Sequence, residues 1–138
     1  MIMRIRFSIA LLIAAVCASG AAFAHHSFAM FDQSKDVTLE GVVTEFQWTN
    51  PHAFIHIEVP NKSGGKDLWQ VELNSPNNLK RQGWRSTSLK AGEAVTLVLK
   101  PLRDGSKGGL FVSVKLPDGT VLGDPTRTNG APINVPKP

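Results

Sequence analysis

A chain of 138 residues is the size of one domain, and its 42% content of hydrophobic side chains predicts a folded core rather than disorder. The formal net charge of +4 falls to +2 if residues 1–24 are removed, because Arg4 and Arg6 are then lost from the 15 basic residues and none of the 11 acidic ones is lost. Basic residues so few and so scattered argue against a nucleic-acid-binding protein, which needs a basic stripe or cluster.

Residues 1–24 have the pattern of a cleavable signal peptide. Arg4 and Arg6 form a short basic region, Phe7 to Val16 is apolar apart from Ser8, and Ala22-Phe23-Ala24 fits the small-x-small rule of signal peptidase. We therefore expect cleavage after Ala24 and a periplasmic or secreted protein with no membrane span left.

Cys17 raises the alternative of a lipoprotein, although the branched side chain of Val16 stands where a small residue is required. Ser19 and Gly20 interrupt the apolar run well before the roughly 20 residues that a membrane anchor needs. Cleavage after Ala24 leaves no cysteine, so the exported chain has to be stabilised by its core rather than by a disulfide.

The remaining chain divides into an N-terminal arm (25–36), one β domain (37–123) and a loose tail (124–138) that contains four prolines. Stretches rich in β-branched and aromatic residues predict the strands of the domain. In chain order, the five predicted strands are Val37–Trp48, His52–Val59, Leu68–Leu73, Ala94–Leu99 and Leu110–Leu116.

One short helix is predicted between the third and fourth strands. Ser75 is a good N-cap, Pro76 suits the first helical position, and Gly83 ends a helix over Asn77–Gln82. Three strands, a helix and two further strands are the order of the five-stranded OB-type barrel. We therefore predict an all-β fold with one short helix, a small five-stranded OB-like β-barrel, and keep a β-sandwich or open barrel as the alternative.

The histidines are the sharpest chemical feature of the chain. His25, His26, His52 and His56 lie within 32 residues, and none occurs among the last 82. Imidazole suits zinc, copper and nickel, and copper(II) is the divalent first-row ion that nitrogen sites bind most tightly.

Cleavage after Ala24 would make His25 the first residue, and its free amine and imidazole could chelate one metal ion. A third nitrogen from His52 or His56 would complete a T-shaped site that suits copper(II). Alternatively, the amine, the deprotonated amide and the imidazole of His26 could bind copper with no help from the fold. Met30 could add a thioether for copper(I), although packing beside other apolar residues is its ordinary role.

Two of the histidines belong to one alternating stretch. Ala53, Ile55, Ile57 and Val59 face one way, and His52, Phe54, His56 and Glu58 face the other. At about 3.3 Å per residue, His52 and His56 would lie roughly 13 Å apart, so we expect only one of them to join His25. In the alternative interpretation all four histidines are structural or incidental, for example with His52 at a turn and His56 paired with Glu58.

No catalytic pattern stands out, and we expect a protein that is not an enzyme. The exported chain has no cysteine nucleophile, no Gly-x-Ser-x-Gly motif and no P-loop. The competing hypothesis is a non-enzymatic binding or assembly module without metal, whose unknown protein or small-molecule partner would contact a face around Trp84, Arg81 and Arg85.

The chain resembles a family of small exported bacterial proteins of unknown function, from His25 to about Leu122. The resemblance implies export and a compact β fold and transfers no catalytic residue, so the metal hypothesis rests on residue chemistry alone. The motifs that carry the resemblance are HHSFAMFD, GVVTEFQW, TNPHAFIHIEV, WQVELNSPNNLKRQGW and LKAGEAVTLVLKPLRDG.

Overall fold

A computed structural model of the protein describes residues 28–124 and 127. The predicted signal peptide, His25 and His26 lie outside the described residues. The strands belong to the compact unit Phe31–Pro138. They are β1 (Val37–Gln47), β2 (Phe54–Pro60), β3 (Lys66–Glu72), β4 (Ala94–Pro101), β5 (Gly108–Lys115) and β6 (Val121–Gly123), with one helix, α1 (Pro76–Arg81), between β3 and β4.

The strands close into a barrel in the order β3-β2-β1-β4-β5. The short strand β6 pairs with Ser113–Lys115, in the second half of β5. Neighbouring strands are antiparallel except at the closure, where Gln70–Glu72 of β3 pairs in parallel with Gly108–Leu110 of β5. A five-stranded barrel with this connectivity and a helix after the third strand is OB-like, so the predicted fold is confirmed.

Two glycines at the start of β5 permit the strands to approach closely. A Cβ atom at Gly108 would lie 3.0 Å from the carbonyl oxygen of Gln70, across the closure. A Cβ atom at Gly109 would overlap the carbonyl oxygen of Lys100 and lie 2.5 Å from Cδ1 of Leu99. Any larger residue at Gly109 therefore has to displace a neighbouring strand.

Apolar side chains of all five strands fill the interior of the barrel. The predicted alternation is confirmed in β2 and the two residues before it, because Ala53, Ile55 and Ile57 are fully buried while His52 and His56 on the other face are partly exposed. Burying one side chain of this size contributes about 1.5–3 kcal/mol. Other members of the core are Val43, Val71, Leu73, Leu97, Leu99, Phe111 and Val114.

Helix α1 begins where the sequence predicts. Ser75 is the N-cap, and its Oγ accepts a hydrogen bond from the backbone N–H of Asn78 at 3.4 Å. Pro76 is the first helical residue, where a missing N–H costs nothing. The chain then turns at Gly83, whose φ of +87° favours glycine.

The first residues after β6 are attached to the barrel. Asp124 is buried, and its carboxylate forms a 2.7 Å ion pair with the guanidinium of Arg127, which also donates to the carbonyl oxygen of Phe111. The rest of the predicted tail lies outside the described residues. Within residues 28–124 and 127, no helix is long and apolar enough to cross a membrane.

Candidate functional site

His52 lies in the loop between β1 and β2, just before β2 begins at Phe54. Its Nδ1 atom is 2.9 Å from the carbonyl oxygen of Leu73 and 3.3 Å from Oε1 of Glu72. A carbonyl oxygen can only accept a hydrogen bond, so Nδ1 carries the hydrogen and donates it. In the neutral ring, Nε2 then holds the free lone pair.

This arrangement leaves the second ring nitrogen of His52, Nε2, outside the hydrogen bond. The His52 side chain is 42% exposed, and Nε2 has no hydrogen-bond partner in the part of the chain that the structure describes. Histidines that bind metals usually donate their other ring N–H to a carbonyl or a carboxylate, which fixes the ring and its tautomer. His52 has both kinds of acceptor beside Nδ1.

His56 lies in the middle of β2, and it is hydrogen-bonded through Nε2 rather than through Nδ1. Its Nε2 is 3.0 Å from Oε1 of Gln47 on β1, and Nε2 of Gln47 donates to Oγ1 of Thr49 at 3.4 Å, which orients the amide. Nε2 of His56 is therefore the donor. Glu45 and Gln70 pair with His56 from the two neighbouring strands, so its ring lies on the wall of the barrel.

The two described histidines have separate surroundings. The ring of His52 is hydrogen-bonded towards the end of β3, and that of His56 towards β1. Among residues 28–124 and 127, no three His, Cys, Asp or Glu side chains come together as a metal-binding group. His25 and His26 lie outside these residues.

The residues that contact the two histidine rings were not predicted from the sequence. Glu72 and Gln47 were not predicted to belong to the site. The hairpin register could have identified Glu72, because pairing Pro60 with Lys66 across the predicted turn places Phe54 opposite Glu72 and His52 just beyond it. The contact with Gln47 depends on the pairing of β1 with β2 and on a bulge between Val43 and Glu45, which the sequence pattern does not reveal.

Trp84 does not lie on an exposed face. Its ring is 1% exposed and packs edge-on against Phe111 with 5.5 Å between ring centroids. The ring of Trp84 therefore packs in the core, and the hypothesis of a binding face around Trp84, Arg81 and Arg85 stays a prediction. Trp48, which is half-buried, lies with Trp84 at a surface cavity that Lys80 and Arg85 also line.

Fold and site together define a small closed barrel of OB topology, with one well-oriented imidazole and a cationic cavity at the end where α1 lies. The chain belongs to a family of unknown function, DUF6152, whose model matches residues 13–112. No match was found among curated proteins or among solved structures.

Proposed function

We propose that the protein is exported, is cleaved after Ala24 and binds copper(II), or another late divalent metal ion, at its new N-terminus. The amine and imidazole of His25 form the chelate in this proposal, and Nε2 of His52 supplies the third nitrogen. The proposed role is metal binding rather than catalysis.

One observation carries the choice of His52. Its Nδ1–H donates to the carbonyl oxygen of Leu73 at 2.9 Å, which leaves the lone pair on Nε2 of a partly exposed side chain. Because the fold has already oriented the ring, binding a metal would cost little further side-chain entropy. A loop position also gives an N-terminal arm easier access than a position in the middle of a strand.

Glu72 has a supporting part in this proposal. Its carboxylate oxygen lies 3.3 Å from Nδ1 of His52. A carboxylate beside the outer nitrogen of a metal-binding histidine fixes the ring and makes the inner nitrogen a stronger donor. Glu72→Gln should therefore weaken copper binding by about 10-fold, the lower end of the usual effect of such partners.

His56 and His26 define the alternatives. His56 is the other candidate for the third nitrogen, with its Nδ1 as the binding atom because Nε2 donates to Gln47. His26 would bind copper through the amine, its own amide nitrogen and its imidazole, without any residue of the barrel. Such binding would be independent of both His52 and His56.

The proposal requires a pH dependence. Amine and imidazole nitrogens bind a metal only after they have lost a proton, so affinity should fall as the pH decreases towards about 5. Copper binding that does not change with pH over this range would contradict the proposed ligands.

The test is a calorimetric titration of the exported, processed protein with copper(II), after intact mass has established that His25 is the first residue. The matched control carries an acetyl group on the amine of His25, which removes the first nitrogen of the chelate. We expect tight one-to-one binding that the acetyl group abolishes. Equal binding in both proteins, or none in either, would overturn the proposal.

A further inference from the structure

A second feature at the same end of the barrel is a cavity of about 560 Å³, which we name the cationic cleft. Its volume is within the roughly 300–1,000 Å³ that is usual for small-molecule sites. The cleft lies between the β1–β2 loop and the turn that follows α1. Its lining residues are Trp48, Lys80, Gly83, Trp84, Arg85 and Ser86.

The charge around the cleft is of one sign. The chain has no acidic residue between Glu72 and Glu93, while Lys80, Arg81 and Arg85 fall within that stretch. Among the described residues, the ion pairs of the barrel involve other cations, namely Lys35, Lys66, Lys100, Lys107 and Arg127. The positive charge at the cleft is therefore not neutralised by the described side chains.

The helix dipole does not explain all of this charge. Lys80 and Arg81 occupy the last turn of α1, where cations are favourable. Arg85 lies beyond the helix and after Gly83, so this effect does not reach it. Arg85 therefore lies at the rim of a cleft whose lining contains no acidic side chain.

The backbone holds Arg85 in place. Its N–H donates to Oγ of Ser88 at 2.9 Å, and the N–H of Ser88 donates to the carbonyl oxygen of Arg85 at 3.0 Å. These reciprocal bonds close a short turn. The guanidinium thus extends from a fixed point, and its planar fork suits the two oxygens of a carboxylate or phosphate.

Trp48 gives the cleft a rigid aromatic wall. Its ring packs edge-on against Phe46, with 5.4 Å between ring centroids. Phe46 in turn contacts Trp84 at 6.0 Å, and Trp84 contacts Phe111 in the core at 5.5 Å. The half-buried ring of Trp48 therefore ends an aromatic row that begins inside the barrel, and its surface is available to a flat apolar group.

We propose that the cationic cleft binds a small organic anion with a flat apolar body. Arg85 and Lys80 bind the anionic oxygens, and the body of the ligand packs against Trp48. The anionic group is a carboxylate or a phosphate, since both fit a guanidinium. This proposal does not depend on copper, because none of the lining residues is a proposed metal ligand.

The test is calorimetric titration of the metal-free protein with 2-naphthoate and, separately, with 2-naphthyl phosphate. Naphthalene-2-carboxamide keeps the flat body and removes the charge, whereas acetate and inorganic phosphate keep the charge and remove the body. We expect at least one naphthyl anion to bind about 10-fold more tightly than all three controls, and the tighter one identifies the anionic group.

Arg85→Gln should weaken the binding of that anion by about 10-fold, since a charge-assisted hydrogen bond is lost. Lys90→Gln is the matched control, because it removes one positive charge from the same segment outside the cleft lining. Equal losses in the two variants would mean diffuse charge rather than a site and would overturn the proposal. Failure of both naphthyl anions to bind, or equal binding of the uncharged carboxamide, would also overturn it.

Discussion

The wall of the barrel and its helix end are ordered by different interactions. In the wall, formed by β1 to β5, alternating side chains pack inward and the backbone ladders fix the register. At the helix end, formed by residues 48–53 and 73–88, loops meet through single hydrogen bonds such as that from His52 to the carbonyl oxygen of Leu73. Four buried side chains attach this end to the core of the wall, namely Ala53, Leu73, Leu79 and Trp84.

This difference separates the two described histidines. His56 belongs to the wall, where its ring is hydrogen-bonded between strands. His52 belongs to the helix end, where one ring nitrogen is hydrogen-bonded and the side chain is partly exposed. Both proposed binding sites include side chains of the helix end.

The largest stability effect should come from Trp84, the largest of the buried side chains that join the two regions. Trp84→Ala removes a fully buried ring that packs against Phe46 and Phe111, and should lower the free energy of unfolding by about 3–5 kcal/mol. Urea denaturation measures this loss. Trp48→Ala, which removes a half-buried ring, should lower the free energy of unfolding clearly less. An equal loss would contradict the role of Trp84 in joining the helix end to the core.

The wall itself can be tested at its tightest point. Gly109→Ala places a methyl group against the backbone of Lys100 and the side chain of Leu99, and should destabilise the barrel by about 1–3 kcal/mol. Gly65→Ala is the control, because the nearest atom to its new methyl group would be 3.6 Å away. If both variants unfold at the same urea concentration, β5 is not packed as described.

At the helix end, the N-cap should have a smaller effect. Ser75→Ala removes the hydroxyl that accepts the N–H of Asn78, and should cost about 0.5–1 kcal/mol in the same assay. Ser63→Ala, in the exposed β2–β3 hairpin loop, should change stability by less than about 0.5 kcal/mol. If Ser75→Ala lowers stability no more than Ser63→Ala does, the N-cap does not stabilise this end.

The smallest effect on stability should come from Asp32, which lies in the segment just before β1. Hydrogen bonds from Ser34, and then the neighbouring Lys35, lower the pKa of Asp32 from 3.8 to about 2. A lowered pKa stabilises the folded state above the unfolded value, and this contribution disappears as the pH falls through about 2. Asp32→Asn should therefore reduce stability slightly near neutral pH, and the difference from the unsubstituted protein should shrink between about pH 4 and pH 2. A difference that stays constant would mean that the carboxylate charge is not responsible.

Elements whose signals are local were predictable from the sequence. Alternation over residues 52–59 identified the buried face of β2, and Ser75, Pro76 and Gly83 located α1. The contacts between loops at the helix end were harder to predict, since His52 meets Leu73 only after a hairpin of about 20 residues has closed. Trp84 had no periodic pattern around it, so the sequence did not distinguish a core ring from a surface ring.

Copper affinity in matched histidine variants tests the central proposal most directly. His52→Gln and His56→Gln would each be prepared as exported protein with His25 as the first residue, and titrated with copper(II) near neutral pH. We predict that His52→Gln weakens binding by at least 10-fold and that His56→Gln leaves it nearly unchanged. Equal affinities in the two variants, or a loss confined to His56→Gln, would contradict the assignment of His52 as the barrel's metal ligand.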